Sequence, residues 1–118
     1  MYNETSLDTL IGEVLLEAVE LKSGQTACKF YTRSGKIFKL VGGIPGSSID
    51  AVVGDASNLI DTPIISIDKS DDIGINEDGT WLLTTFRLNT ASHTLIISWI
   101  GQIIDGQDVS VRLYEYGE

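Results

Sequence analysis

Ala27-Cys28-Lys29-Phe30-Tyr31-Thr32 and Lys36-Ile37-Phe38-Lys39-Leu40-Val41, joined by Arg33-Ser34-Gly35, set the fold class of this chain. Both runs alternate apolar with polar side chains at period two, the pattern of half-buried strands, and a short polar connection makes them a hairpin. Loop length decides the register. A two-residue Ser34-Gly35 loop would set Phe30 opposite Lys39 and mix charge with core on both faces. A three-residue loop places Gly35 at the left-handed position of a bulged turn and pairs Phe30 with Phe38 and Cys28 with Leu40. Core and charge then separate, with Phe30 and Phe38 buried and Tyr31, Arg33 and Lys39 exposed. The outer face carries Lys29, Tyr31, Arg33, Ile37 and Lys39, and Lys29 lies directly opposite Lys39. Like charges so placed cost about 0.2 to 1 kcal/mol, which calls for a nearby acid or an external anionic partner.

Outward from this hairpin the same grammar continues. Trp81 through Leu88, a turn near Thr90-Ala91-Ser92-His93, and Thr94 through Ile100 read as a second hairpin. Leu95, Ile97 and Trp99 share one face, and the nearly continuous apolar run is expected to be a central strand buried on both sides. Asp105-Gly106 marks a turn, and Val109 through Tyr114 alternates as a half-exposed strand. The opening segment is ambiguous between helix and strand. Ser6-Leu7-Asp8-Thr9-Leu10-Ile11-Gly12 is echoed by Ser57-Asn58-Leu59-Ile60-Asp61, each with a polar start, a Leu-Ile pair, a break and then an apolar run. Pro63 forces the second run to be extended, so the first is read as extended too. The expected plan is two units of short helix, strand and hairpin. The fold expectation is α+β, mainly β: about six to seven mostly antiparallel strands in a curved sheet or small open barrel, with one or two short helices, in a single domain spanning 1–118.

Charge is segregated along the chain. Residues 21 to 40 hold five of the eight basic side chains and no acid, whereas 1 to 20 hold five acids and no base, and 41 to 118 hold twelve acids against Lys69, Arg87 and Arg112. The net charge is -9. Such a field governs partner choice and encounter rate, and points to binding before chemistry. No apolar run approaches the roughly 20 residues of a membrane span, Met1-Tyr2-Asn3-Glu4-Thr5 lacks the positive and then apolar pattern of a secretory leader, so none is expected there, and Cys28 is the only cysteine. The expected location is the cytoplasm of a bacterium or a phage-infected host.

Leu10-Ile11-Gly12, Thr32 through Phe38, Gly54-Asp55-Ala56-Ser57-Asn58-Leu59-Ile60-Asp61-Thr62-Pro63-Ile64, and Trp81 through Phe86 with Trp99-Ile100-Gly101 together resemble an uncharacterised family of small phage and bacterial proteins, a domain of unknown function. The resemblance implies a small αβ domain rich in antiparallel strands and a phage or mobile-element origin, and no activity. That family often carries a His, Asp and paired Cys cluster after the first hairpin. Here the stretch reads Gly42-Gly43-Ile44-Pro45-Gly46-Ser47-Ser48, so no role tied to that cluster transfers.

Catalytic constellations are short of parts. Asp68 through Gly79 looks like a calcium loop, but its sixth position is Ile73 instead of glycine and its twelfth is Gly79 instead of glutamate. One Cys and one His cannot close a zinc site without distant carboxylates. His93 sits beside Ser92 in a turn with no third group announced, and adjacent strand residues point apart. Cys28 is read as core. Gly42-Gly43 and Gly46 lack the Lys and spacing of a phosphate loop. No catalytic residue, metal or cofactor is expected.

A binding reading remains. The chain is expected to be a non-enzymatic inhibitor of the immunity-protein or anti-defence kind, masking the basic surface of a nuclease or other nucleic-acid-handling protein. The acids expected to make that contact are Asp68, Asp71, Asp72, Glu77 and Asp78, read as a charged loop, against the plainer view that they only keep the chain soluble. Two other classes stand beside it. One is a sponge for an anionic small molecule or nucleotide on Lys29, Tyr31, Arg33 and Lys39. The other is a phage structural component assembling as a homo-oligomer. Direct nucleic-acid binding is disfavoured by a pI of about 4.3, and the plainer view of the basic face is pairing with Glu13, Glu17 and Glu20 on a neighbouring strand.

Overall fold

Among the described residues, alternating side chains make nine strands. They are β1 (Tyr2–Thr5), β2 (Leu15–Val19), β3 (Ala27–Thr32), β4 (Ile37–Val41), β5 (Ser48–Val53), β6 (Ser66–Asn76), β7 (Gly79–Asn89), β8 (Thr94–Gln102) and β9 (Arg112–Tyr116). The computed structural model describes residues 1–43, 47–105 and 108–117. The expected Asp105-Gly106 turn and the Ile44-Pro45-Gly46 stretch therefore lie wholly or partly outside the described residues. The strands form two antiparallel sheets, ordered β1-β9-β4-β3-β2 and β5-β8-β7-β6, instead of one curved sheet or a barrel. The thinnest dimension, 21 Å, suits two sheets packed about 10 Å apart.

The first hairpin takes the register that separates core from charge. Phe30 faces Phe38, Cys28 faces Leu40 and Lys29 faces Lys39, with Thr32 N–H donating to the Lys36 carbonyl and Gly35 at φ +90°. Phe30, Phe38 and Cys28 are fully buried. From the other sheet, Phe86, Leu88, Leu95, Ile97 and Trp99 close the same core, each such side chain contributing about 1.5 to 3 kcal/mol of burial. β8 is central, between β5 and β7, yet it is buried on one face only. Leu95, Ile97 and Trp99 are sealed while Ile96, Ser98 and Ile100 are half-exposed, because among the described residues no layer covers the outer side of the four-stranded sheet.

The expected short helices are 3-10 turns, Leu7–Leu10 and Ala56–Leu59. Four residues leave no room for an α-helical ladder. Their equivalence is close. Ser6 and Asp55 precede the turns, Leu10 and Leu59 are buried, and Ile11 and Ile60 end them in the same extended conformation. Gly12 and Asp61 follow with φ of +89° and +66°. The two exits also bond to each other reciprocally: Gly12 N–H donates to the Ile64 carbonyl at 2.7 Å, and Asp61 N–H to that of Leu15 at 3.4 Å. Each unit is thus strand, turn and three-stranded meander, β1 to β4 and then β5 to β8. The sheet orders match once β9 is seen as a strand inserted between β1 and β4.

The units differ in one hairpin. β6 and β7 pair over eleven residues each, from Ser66 opposite Asn89 to Asn76 opposite Gly79. Along one face of this ribbon, Leu88 and Phe86 are buried, whereas Ile73 is 67% and Ile75 80% exposed. The core ends before the strands do. Beyond about Asp71 the ribbon overhangs the sandwich as an arm.

Candidate functional site

The acids expected to sit on a loop belong to a strand. Asp68, Asp71 and Asp72 lie on β6, and Glu77-Asp78 is the two-residue turn into β7. The segment is extended because it pairs with β7, whose Trp81 through Leu88 run supplies a continuous ladder. Pleating then divides the set. Asp71 shares the inner face with Thr84, whose Oγ1 donates to it at 2.8 Å, and with Lys69 at 3.9 Å. Asp68 is on the other face and accepts from Asn89 Nδ2 at 3.1 Å. The carboxylates of Asp72, Glu77 and Asp78 enter no ion pair among the described residues. The five acids are therefore one edge with three free charges at its distal end.

Sequence reasoning missed the apolar part of this edge. Ile73 and Ile75 are exposed on the inner face of the ribbon, and the same 73–76 stretch of β6 joins Trp81, Leu83 and Ile100 in lining an apolar depression of about 380 Å3. Asp50 and Asp72 border it. The signal was present: Ile73-Gly74-Ile75 alternates, and Asp78-Gly79 leads into Trp81, a strand, turn and strand signature. Trp81 Nε1 donates to Asn76 Oδ1 at 3.2 Å, and that same oxygen accepts from Asp78 N–H at 2.9 Å, which fixes the indole against the turn.

The basic face is partly answered from within. Arg33 pairs with Asp61, and Lys36 Nζ lies 3.6 Å from Glu13, which also accepts from Ser34. Of the three glutamates expected as partners, Glu13 precedes β2 and pairs with Lys36, outside the expected face, and Glu17 and Glu20 join no ion pair among the described residues. Lys29 and Lys39 instead flank the Tyr2 ring at 5.8 and 5.3 Å, a cation–π arrangement that relieves their mutual repulsion. Tyr2 was not placed by the sequence pattern. Its cover is why Lys39 is half-buried where full exposure was expected, and Tyr31, paired with Ile37 in mid-sheet, is half-buried likewise. Registers put Tyr2, Tyr31, Tyr114 and Tyr116 on this one face.

Other expected features are simply located. Ser92 and His93 do meet, with Oγ 2.9 Å from Nδ1, since they sit in a turn where strand alternation does not apply. Both are exposed. The His93 carbonyl accepts from Thr90 N–H, a turn role, and no third group orients the ring among the described residues. Cys28 is sealed in the core, and desolvation pushes its thiol from the ordinary 9.0 up to about 12. Among the described residues no three His, Cys, Asp or Glu side chains gather as a metal site, and no helix is long and apolar enough to cross a membrane. Comparison with protein-family models, with curated proteins and with solved structures finds no match.

Proposed function

We propose that this chain is a non-enzymatic protein-binding module that docks its overhanging β6–β7 arm on a cationic surface of another protein, in the manner of an inhibitor of a nuclease or other nucleic-acid-handling partner. The observation that carries this reading is the exposure of Ile73 and Ile75 on a face that elsewhere buries Phe86 and Leu88. Charges on an edge strand have a structural use, since they deter pairing with other chains. That use accounts for Asp68 and Asp72 but not for two projecting isoleucines. Exposed apolar side chains framed by Asp72, Glu77 and Asp78 supply both parts of an interface, burial for affinity and charge for steering. The sponge reading keeps one observation in its favour, the Lys29 and Lys39 pair without a carboxylate partner among the described residues.

A partner captured by the wild-type chain and purified is then measured by surface plasmon resonance across a salt series. Association is expected to slow steeply with salt, and Asp72→Asn/Glu77→Gln/Asp78→Asn to slow it by about tenfold with the fold intact. A triple variant that associates as fast as wild type sinks the reading.

A further inference from the structure

From the depression at the base of the arm, we infer a binding slot for a single arginine side chain presented by the partner. This rests on the reading of the arm as a protein-docking element and names the chemistry it selects. Three observations converge on it.

The floor is apolar and aromatic. Leu83 and Ile100 face each other across β7 and β8, with Trp81 one pleat further along β7 on the same side. The indole is held by Asn76, so its ring is preorganised. The walls are anionic and come from the two outer strands. Asp72 stands on β6 opposite Leu83, and Asp50 comes from β5 at the point where the β5–β8 register shifts between Ile49 and Ala51. A bulge of this kind re-aims a side chain, here putting an extra residue at the border of the depression. Neither Asp50 nor Asp72 forms an ion pair or accepts a side-chain hydrogen bond among the described residues.

Distance then decides what kind of cation fits. β5 and β6 are separated by β8 and β7, so three strand spacings of about 4.8 Å put the two Asp backbones roughly 14 Å apart. A calcium ion, holding its ligands at about 2.3 to 2.6 Å, cannot draw on both walls. A long side chain with an apolar stem and a cationic end can lie on the floor between them and pair with one. Its methylenes lie on Leu83 and Ile100, its cationic end stacks on Trp81 and reaches a carboxylate. Guanidinium fits better than ammonium because it is planar, is more weakly hydrated and offers a fork of donors to a carboxylate.

The test uses the full chain and three peptides, tetra-arginine, tetra-lysine and the neutral isostere tetra-citrulline. Trp81 reports on the site by its fluorescence, since Trp99 is fully buried, and Trp81→Phe gives the background. Backbone amide NMR locates the contact. Tetra-arginine is expected to give a saturable change with shifts at Asp50, Asp72, Leu83 and Ile100, tetra-lysine to bind several-fold more weakly, and tetra-citrulline not at all. Asp50→Asn/Asp72→Asn, two exposed substitutions, should weaken tetra-arginine at least tenfold. The slot is overturned if citrulline binds as well as arginine, if the double variant binds as wild type does, or if the shifts map to the Glu77-Asp78 turn instead. The two readings fail separately. A protein partner that needs Ile73 and Ile75 but is indifferent to Asp50→Asn/Asp72→Asn keeps the arm and removes the slot. Arginine binding with no protein partner keeps the slot and removes the arm reading.

Discussion

The two units share a plan and part company at one hairpin. In the first, β2 is five residues long and the connection to β3 is bonded to the body, Gly24 N–H to the Ile49 carbonyl and Ile49 N–H to that of Gln25, both at 2.8 Å. In the second, the equivalent β6–β7 hairpin runs eleven residues a side, past the last core contact. The sandwich already closes with the short version. The extra length of the second unit lies beyond the buried core and carries exposed isoleucines, which is the ground for the proposed binding role.

The sharpest way to break this comparison is to truncate one residue in each region. Phe38→Ala removes a fully buried ring from the first unit and should cost about 3 to 5 kcal/mol in urea unfolding. Ile75→Ser, at the arm, should stay within about 0.5 kcal/mol of wild type. If Ile75→Ser costs as much as Phe38→Ala, the arm is part of the fold and its exposure has been misread.

A smaller effect tests whether the turn exits are equivalent. Gly12 holds φ +89° with open space around its missing Cβ, so Gly12→Ala should cost about 1 to 2 kcal/mol through backbone strain alone. Asp61→Gly, at the matching position, relieves that strain but gives up the ion pair with Arg33, exposed and worth at most about 1 kcal/mol. Chemical denaturation of both variants should show Gly12→Ala destabilised and Asp61→Gly near neutral. Equal losses at the two sites would mean the exits differ in mechanics.

The third test is pH, and it separates the units because Cys28 is the one titrating side chain in the described buried core. The folded thiol is raised to about 12 from an ordinary 9.0. The unfolded chain ionises first as pH rises, so the contribution is whole below pH 9 and shrinks between there and about 12, by roughly 1.4 kcal/mol at pH 10. The urea midpoint should fall between pH 8 and 10, and Cys28→Ala, although less stable throughout, should lose that dependence. An unchanged midpoint would place the thiol in contact with water.

Legibility followed burial. The β3–β4 register could be read residue by residue, because Phe30 and Phe38 must both reach the core and period-two alternation leaves them a single register, whereas the β7–β8 hairpin was legible as a hairpin without its register. The missed strands are β1, β5 and β6, and all three are sheet edges. An edge strand buries little, so Tyr2-Asn3-Glu4-Thr5 and Asp68 through Asp72 carry no apolar rhythm to betray them. The echo between Leu10-Ile11-Gly12 and Leu59-Ile60-Asp61 was visible, but that the two exits bond to each other was not, since the Gly12–Ile64 and Asp61–Leu15 bonds join segments far apart in the chain and leave no mark in local pattern.

Sequence by itself determined the buried face of the first hairpin, that the chain is mainly β, and that its acids outnumber its bases in separate blocks. Those properties depend on side-chain chemistry and local spacing alone. Only tertiary structure decided that the acids lie on a paired strand, that Tyr2 shields Lys29 from Lys39, and that Asp50 and Asp72 border one apolar depression. Each of those depends on which edge the chain returns to, and an edge is chosen by partners distant in sequence that offer free backbone donors and acceptors.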